Sequence, residues 1–194
     1  MIPATACILI GGDSNRFGSQ KWKAVIDGTT VIDRIWDACE FFEYRHVIGK
    51  DHPKNLNKDF IKDMLEIKAP INGLHAALEN SNTDWIFLLS CDLPLVSADI
   101  LIDLWNETDA TKSIIVPMVN KRLEPTCALY HKRILSTCNA RIQKNDLGLN
   151  GLIKSIEFHC VDMTDRADRF FNMNTKNDMS EAEKILRLKR NARS

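Results

Sequence analysis

Residues 85–94 read Trp85-Ile86-Phe87-Leu88-Leu89-Ser90-Cys91-Asp92-Leu93-Pro94: five apolar residues in a row, a short polar step, then a proline. The apolar run is too short for a helix and is bounded by polar residues. That is the pattern of a central parallel strand covered on both faces. An acidic side chain at its carboxyl end, held by a proline turn, stands where ligands bind in open α/β sheets. Working outward, Ala6 to Ile10 is a second buried strand, stopped by Gly11-Gly12. His46 to Ile48, Ser113 to Val116, Thr126 to Tyr130 and Ile156 to Val161 read as further strands.

Helical spacing fills the intervals. Thr30 to Phe42 carries Ile32, Ile35, Trp36 and Cys39 on one side, and Thr30 with Asp33 resembles a capping box. Gly73 to Asn80 places Leu74, Ala77 and Leu78 together. Ser97 is the expected N-cap of a helix with an Ile100, Leu101, Leu104 and Trp105 stripe. His131 to Lys144 reads as a helix, and Asn145 to Gly151 as a polar loop entering a short one. Thr175 to Leu188 is the last helix, with Met179, Ala182, Ile185 and Leu186 inward. Strands alternating with helices of this length predict an α/β protein with a parallel sheet.

The composition agrees with a folded domain. The chain has 194 residues, 44% of them hydrophobic and 27% charged, enough for one core of substantial size. Its 26 basic and 26 acidic residues cancel, so no overall charge draws it to nucleic acid or a membrane. No apolar run approaches the roughly 20 residues of a membrane span. Met1 to Ile10 lacks the basic region of a signal peptide, so a cytoplasmic protein is expected. The six cysteines contain no C-x-x-C pair and read as reduced core thiols rather than a zinc site. His46, His52, His75, His131 and His159 show no pairing pattern. Lys184 to Ser194 holds five basic residues and no acidic one, which reads as a helix terminus followed by a frayed tail. No internal repeat, low-complexity stretch or linker divides the chain.

Three segments fall where a parallel sheet places its chemistry. Leu9-Ile10-Gly11-Gly12-Asp13-Ser14-Asn15-Arg16-Phe17-Gly18-Ser19-Gln20-Lys21 combines a glycine turn with two cations, a moderate polyphosphate signal. It is neither a Walker loop nor a G-x-G-x-x-G fingerprint. Asp92 could hold a hard cation such as Mg²⁺, which commonly takes one or two protein carboxylates with substrate phosphates; capping the next turn is an equal alternative. Ala69-Pro70-Ile71-Asn72-Gly73-Leu74 enters a helix, and Asn72 and Gly73 read there as capping residues.

Together and in order, these segments resemble the molybdenum cofactor guanylyltransferases, within the larger nucleotidyltransferase family. The family's Leu-Ala-Gly-Gly, Arg-Met-Gly and Lys stand here as Leu9-Ile10-Gly11-Gly12, Arg16-Phe17-Gly18 and Lys21. Gly-Pro-Leu-Ala-Gly stands as Ala69-Pro70-Ile71-Asn72-Gly73, and Cys-Asp-x-Pro as Cys91-Asp92-Leu93-Pro94. Pro125-Thr126-Cys127-Ala128-Leu129-Tyr130 and Asn172-Met173-Asn174-Thr175 are similar to the motifs that mark the molybdopterin branch. Ala69, Asn72 and Lys176 depart from the pattern, Asn72 at a place where contacts to base or ribose would change. The family's nucleotide-contacting Asn has no clear match in Gly49-Lys50-Asp51-His52.

The resemblance implies a three-layer α/β/α, Rossmann-like nucleotidyltransferase fold with a mostly parallel central sheet. It implies a single domain over 1–194, with a nucleotide-binding half at about 1–110 and an acceptor, pterin-binding half at about 111–194. The implied reaction joins GMP from GTP to molybdopterin with release of pyrophosphate, using Mg²⁺. Arg16, Lys21 and Asp92 are then expected to be catalytic. Leu9, Ile10, Gly11, Gly12, Lys21, Asp63, Gly73 and Asp92 are expected to bind nucleotide, and Asp92 the metal. Pro125, Thr126, Asn172, Asn174 and Thr175 are expected to meet the acceptor. Molybdenum-insertion proteins and acceptor molybdoenzymes are the implied protein partners. Cytidylyl transfer to molybdopterin, nucleotidyl transfer to a sugar phosphate, and a non-catalytic nucleotide-binding subunit are the alternatives.

Overall fold

The strand read at Trp85–Leu89 forms the middle of an eight-stranded sheet. The computed structural model describes residues 1–11 and 20–191. In chain order these give β1 (Ile2–Leu9), a hairpin of β2 (Val25–Ile26) and β3 (Thr29–Thr30), α1 (Val31–Ala38), β4 (Phe42–Gly49), β5 (Phe60–Lys62), α2 (Pro70–Asn80) and β6 (Trp85–Ser90). There follow α3 (Ala98–Asn106), β7 (Ile114–Val119), β8 (Arg122–Leu123), β9 (Cys127–His131), α4 (Leu135–Gln143), α5 (Leu149–Lys154), β10 (Phe158–Asp162) and α6 (Lys176–Asn191). The strand order is β10-β7-β9-β6-β1-β4-β5, with β8 paired to β7. All neighbours along this path are parallel except β9, which runs against both β6 and β7.

The exception follows from connection length. A parallel return needs a crossover of a dozen or more residues, and only 120–126 separate β7 from β9. Asn120 and Lys121 turn the chain instead, both at positive φ (49° and 66°), and the chain comes back antiparallel. Asp27 and Gly28 (φ 49° and 79°) make the same kind of turn between β2 and β3, the pairing that primed hairpin turns favour.

Alternating residues divide the core in two. Ala6, Ile8, Phe87 and Leu89 face one layer, with Ile35, Leu101 and Ala182 from α1, α3 and α6. Cys7, Leu9, Ile86 and Leu88 face the other, with Leu74, Cys138 and Leu152 from α2, α4 and α5. The period of two along a strand thus supplies both faces of a three-layer α/β/α sandwich. No helix among the described residues is long and apolar enough to cross a membrane.

Several boundaries differ from the sequence reading. The first helix stops at Ala38, because Phe42 already begins β4. Thr30 does cap it: Asp33 N donates to Thr30 Oγ1 at 3.2 Å. α2 starts three residues before Gly73, with Ala69 as N-cap and Pro70 in its first turn, so Asn72 and Gly73 are not caps. Proline suits that place because its missing N–H would have had no partner there. His131 ends β9 rather than opening a helix, and a 3₁₀ turn, Lys132–Ile134, precedes α4. Ser97 occupies the N-cap of α3 without a side-chain capping bond. All six cysteines are free, five of them buried and Cys160 half-buried. In the basic last turn of α6, Lys189 pairs with Asp168 and Arg190 with Asp27; the tail read as frayed, 192–194, lies outside the described residues.

The two kinds of stabilisation separate experimentally. Leu88→Ala opens a void in a fully buried layer and is expected to cost about 3 kcal/mol. Thr30→Ala removes only a cap and is expected to cost about 1 kcal/mol. Urea unfolding of both variants checks the ordering.

Candidate active site

Because six of the sheet's strands are parallel, their carboxyl ends collect at one edge. β1 ends at Leu9, β4 at Gly49, β5 at Lys62 and β6 at Ser90, and the antiparallel β9 begins there at Cys127. Backbone bonds carry the ladder past the strand ends. Ile10 N donates to Ile48 O (3.0 Å), Asp63 N to Gly49 O (2.9 Å), Ser90 N to Thr126 O (2.9 Å) and Cys91 N to Leu9 O (3.1 Å). These bonds place Gly11, Lys50, Asp63, Asp92 and Thr126 side by side although they are far apart in sequence.

A cavity of about 330 Å³ opens between these ends and α2; its wall includes Gly11, Lys50, Asp63, Ala69, Gly73 and Thr126. Leu9 and Ser90 also line it, whereas Ile10 does not. Gly73 is there for closeness: a Cβ on it would come within 2.4 Å of a Leu9 methyl group. α2 can therefore sit low over β1, with its N-terminal N–H groups at the cavity. Gly11 has a different setting: no described residue comes within 4 Å of a Cβ built on it. Asn72 is buried, and its amide donates to Leu65 O (2.8 Å) and Ile67 O (3.2 Å). It shapes the loop that forms the cavity's outer wall and does not itself line the cavity.

Asp63 brings a carboxylate into this wall, paired with Lys50 Nζ at 2.7 Å. Lys50 also donates to Leu65 O. The stretch Gly49–His52, unassigned from sequence, thus contributes a cation to the cavity through its second residue. Lys68 adds another. Only their position just after a strand end and on the loop before α2 could have drawn attention to them.

Asp92 lies beside the cavity, one residue beyond Cys91. Its Oδ1 is buried without a hydrogen-bond partner, the condition that a buried polar atom normally avoids. Its backbone carbonyl accepts from Met173 N at 2.8 Å. The next residue, Asn174, accepts from Lys21 Nζ through Oδ1 at 2.7 Å. The 173–174 segment therefore joins Lys21 to Asp92, and the Cys91 thiol between them feels both. Burial, then Asp92, push that thiol up to about 12, and Lys21 opposes them. It is no nucleophile at neutral pH.

A second carboxylate is near, one that sequence reasoning passed over. Glu124 is raised above its ordinary value, first by burial and then by the negative charge of Asp92, with Arg122 opposing. Two carboxylates that repel each other next to an unpartnered oxygen form an arrangement that a hard divalent cation would relieve. Among the described residues no group of three or more His, Cys, Asp or Glu side chains is placed to hold a metal.

The segment 172–175 is fixed from behind by α6. Asp178 Oδ2 accepts from the N–H groups of Asn174 and Thr175, both at 2.7 Å, and Asp178 N donates to Thr175 Oγ1 at 3.2 Å. Thr175 and Asp178 thus form a capping pair, and it leaves Asn172 and Asn174 exposed. Thr126 lies in the wall of the cavity that holds Asp63, and Pro125 O accepts from Tyr130 Oη at 2.7 Å. Gly12 and Arg16 lie outside the described residues.

The MobA-like NTP transferase domain model matches residues 6–160. A relative from Aquifex aeolicus, named probable molybdenum cofactor guanylyltransferase, is 30% identical, covering 90% of this chain and 88% of its own. One of the same name from Bacillus cereus is 28% identical, covering 92% and 95%. The crystal structure of molybdopterin-guanine dinucleotide biosynthesis protein A from Archaeoglobus fulgidus has the same fold. It superposes with a TM-score of 0.80 at 21% identity, over 94% of this chain and 98% of that one. Sheet order, the cavity at the strand ends and the match along most of the sequence agree: the chain belongs to the MobA-like NTP transferase family and is a nucleotidyltransferase.

Proposed function

We propose that the protein transfers GMP from GTP to the terminal phosphate of molybdopterin, releasing pyrophosphate, in the cytoplasm. The observation that carries this reading is the buried, unpartnered Asp92 Oδ1 at the end of the central strand, beside both a cation and a cavity. The names of the relatives supply the substrates.

The acceptor phosphate is already a nucleophile, so the protein needs no nucleophilic side chain. It must align two anions that repel each other and offset the charge that develops on the α-phosphate and leaving group. In this reading the nucleoside occupies the cavity, with Leu9, Gly11, Asp63 and Gly73 around it and Ile10 directing the turn. Gly12 and Arg16 complete the phosphate loop. Lys21, held by Asn174, faces the phosphates as a point charge. Asp92 and Glu124 would hold Mg²⁺, whose chemistry when bound is to neutralise the phosphate oxygens that line up for transfer. Asn172, Asn174 and Thr175 border the acceptor's phosphate. Pro125 and Thr126, just before β9, meet the acceptor where that strand begins beside the cavity. In this reading the nucleotide half runs to about residue 110 and the acceptor half lies beyond it.

The first experiment is acceptor-dependent pyrophosphate release with Mg²⁺ and GTP or CTP in turn. GTP-dependent release supports the reading; release with CTP alone keeps the site and changes the base; none with either overturns it. Asp92→Asn is expected to lose roughly a thousandfold in kcat and Lys21→Ala about a hundredfold, the scale for removing a charge aimed at a transition state. Gly11→Ala adds a methyl group that meets no described residue within 4 Å and, in this reading, crowds the nucleotide. Its unfolding midpoint should match the wild type while KM for GTP rises. Glu124→Gln tests the repulsion. Because the folded protein holds this carboxyl's pKa up, its charge costs nothing at low pH and its cost grows as pH rises above the ordinary carboxylate range. The variant's stability advantage in thermal melts should be absent at about pH 4 and present at pH 8.

A further inference from the structure

On the α1 and α6 side of the sheet, away from the nucleotide cavity, two depressions of about 470 and 240 Å³ adjoin. They share Thr29, Arg34, Arg169 and Leu186, and so form one groove. Its first lobe ends at Lys189 and Arg190 on α6, and its second runs along Pro94–Ser97.

The groove's cations are of two kinds. Lys189 and Arg190 are spoken for by Asp168 and Asp27. Among the described residues Arg34 and Arg169 form no ion pair, and Arg34 Nε is buried without a hydrogen-bond partner. Burial pulls the pKa of Arg34 down, while Asp27 pulls it up and Arg190 down. A guanidinium stays charged in a protein all the same. With Lys189 and Arg190 paired to Asp168 and Asp27, Arg34 and Arg169 stand against Asp37 in the lining, so the groove keeps a positive excess. A half-buried charge with an orphaned donor is costly to keep unless something supplies the missing acceptor. Leu95, Val96 and Leu186 give the same groove an apolar side.

Both walls run directly into the site. Pro94 is two residues after Asp92, so their Cα atoms are within about 7 Å. Arg169 is four residues before Met173, whose N–H bonds Asp92 O, a span of at most about 14 Å. A molecule with its phosphate at Asp92 has the nucleotide cavity on one side and this groove on the other.

We propose that the groove binds the body of the acceptor: a ring-bearing organic phosphate with a second anionic group at its far end, paired with Arg34 and Arg169. This rests on the reading that the acceptor is a phosphate; the proposed molybdopterin, a pterin with a terminal phosphate and an anionic dithiolate, has that chemistry. Arg34 and Arg169 then set acceptor affinity, and neither meets the nucleotide.

The test varies molybdopterin at saturating GTP in Arg34→Gln and Arg169→Gln, with GTP affinity measured separately by calorimetry. Each variant should raise KM for the acceptor about tenfold, the loss of one charge-assisted pair, with GTP affinity unchanged. Arg34→Lys keeps the charge without the planar fork and should recover part of the loss, which a merely structural role for Arg34 does not require. Unchanged acceptor KM in both Gln variants, or a parallel fall in GTP affinity, overturns the groove assignment while the proposed reaction stands. Absence of acceptor-dependent release in the wild type overturns both. If a Gln variant does not fold, Arg34→Lys and Arg169→Lys decide: an acceptor KM unchanged in both overturns the groove assignment, and a rise in either supports it.

Discussion

The pairing of β1 with β6 is the constraint on which the rest depends. Leu9 stands opposite Ser90, and Cys91 N extends the ladder by donating to Leu9 O. Gly11 at one chain end and Asp92 at the other are neighbours because of that register. A slip of one residue would exchange the two faces of the sheet, driving Ile8 and Phe87 into the layer built for Cys7 and Leu88. The division of the core is therefore what holds the chemistry in place. The continuous apolar runs of both strands, buried on both sides, make any other register expensive.

Charge at this edge is arranged asymmetrically. Lys50 and Lys68 stand on the cavity wall, while the negative charge of Asp92 reaches Glu124 and helps to raise its pKa. Such a pair is a poor contribution to stability, since one raises the other's pKa. It makes sense as a preformed seat for a cation, with repulsion in the free protein relieved on binding. The same reasoning applies to Arg34, whose Nε is buried with no hydrogen-bond partner among the described residues. Strain of this kind concentrates where a protein expects company.

What could be read from sequence was whatever local physics decides. Trp85–Leu89 and Ala6–Ile10 announce buried strands by composition alone, and Thr30 with Asp33 announces a cap that the structure forms. Asp92 was legible because a carboxylate directly after a buried strand has few structural duties. β5 was not: Phe60–Lys62 is three residues long at the sheet's rim, with no periodicity to mark it. The Asp27-Gly28 turn carried a hairpin signal that the neighbouring glycine loop overshadowed. Lys50 and Glu124 were invisible for a different reason. A lysine after a strand and a glutamate before a proline are common, and they acquire meaning only when the fold brings Asp63 and Asp92 to them. The place of Thr126 in the same cavity wall as Asp63 likewise comes from β9 running antiparallel, a consequence of a short connection and not of any motif.

α6 explains how a site built partly from the segment leading out of the phosphate loop is held in register. At its start, Asp178 fixes the backbone of Asn174, and Asn174 holds Lys21. At its end, Arg190 pairs with Asp27. Lys21 and Asp27 belong to one short stretch, tied to α1 where Val31 N donates to Ala24 O. The helix thus grips the 21–30 segment at two points about one helix length apart, with Ala182 buried in the core between them. Ion pairs at an exposed surface contribute little individually. Here they act on a segment whose direction is already set by the hairpin, so small energies suffice to select one placement. The same helix forms a wall of the Arg34–Arg169 groove through Leu186 and Lys189. Any shift of α6 would move Lys21 and the groove together, so in the proposed reading the two halves of the reaction share one mechanical support.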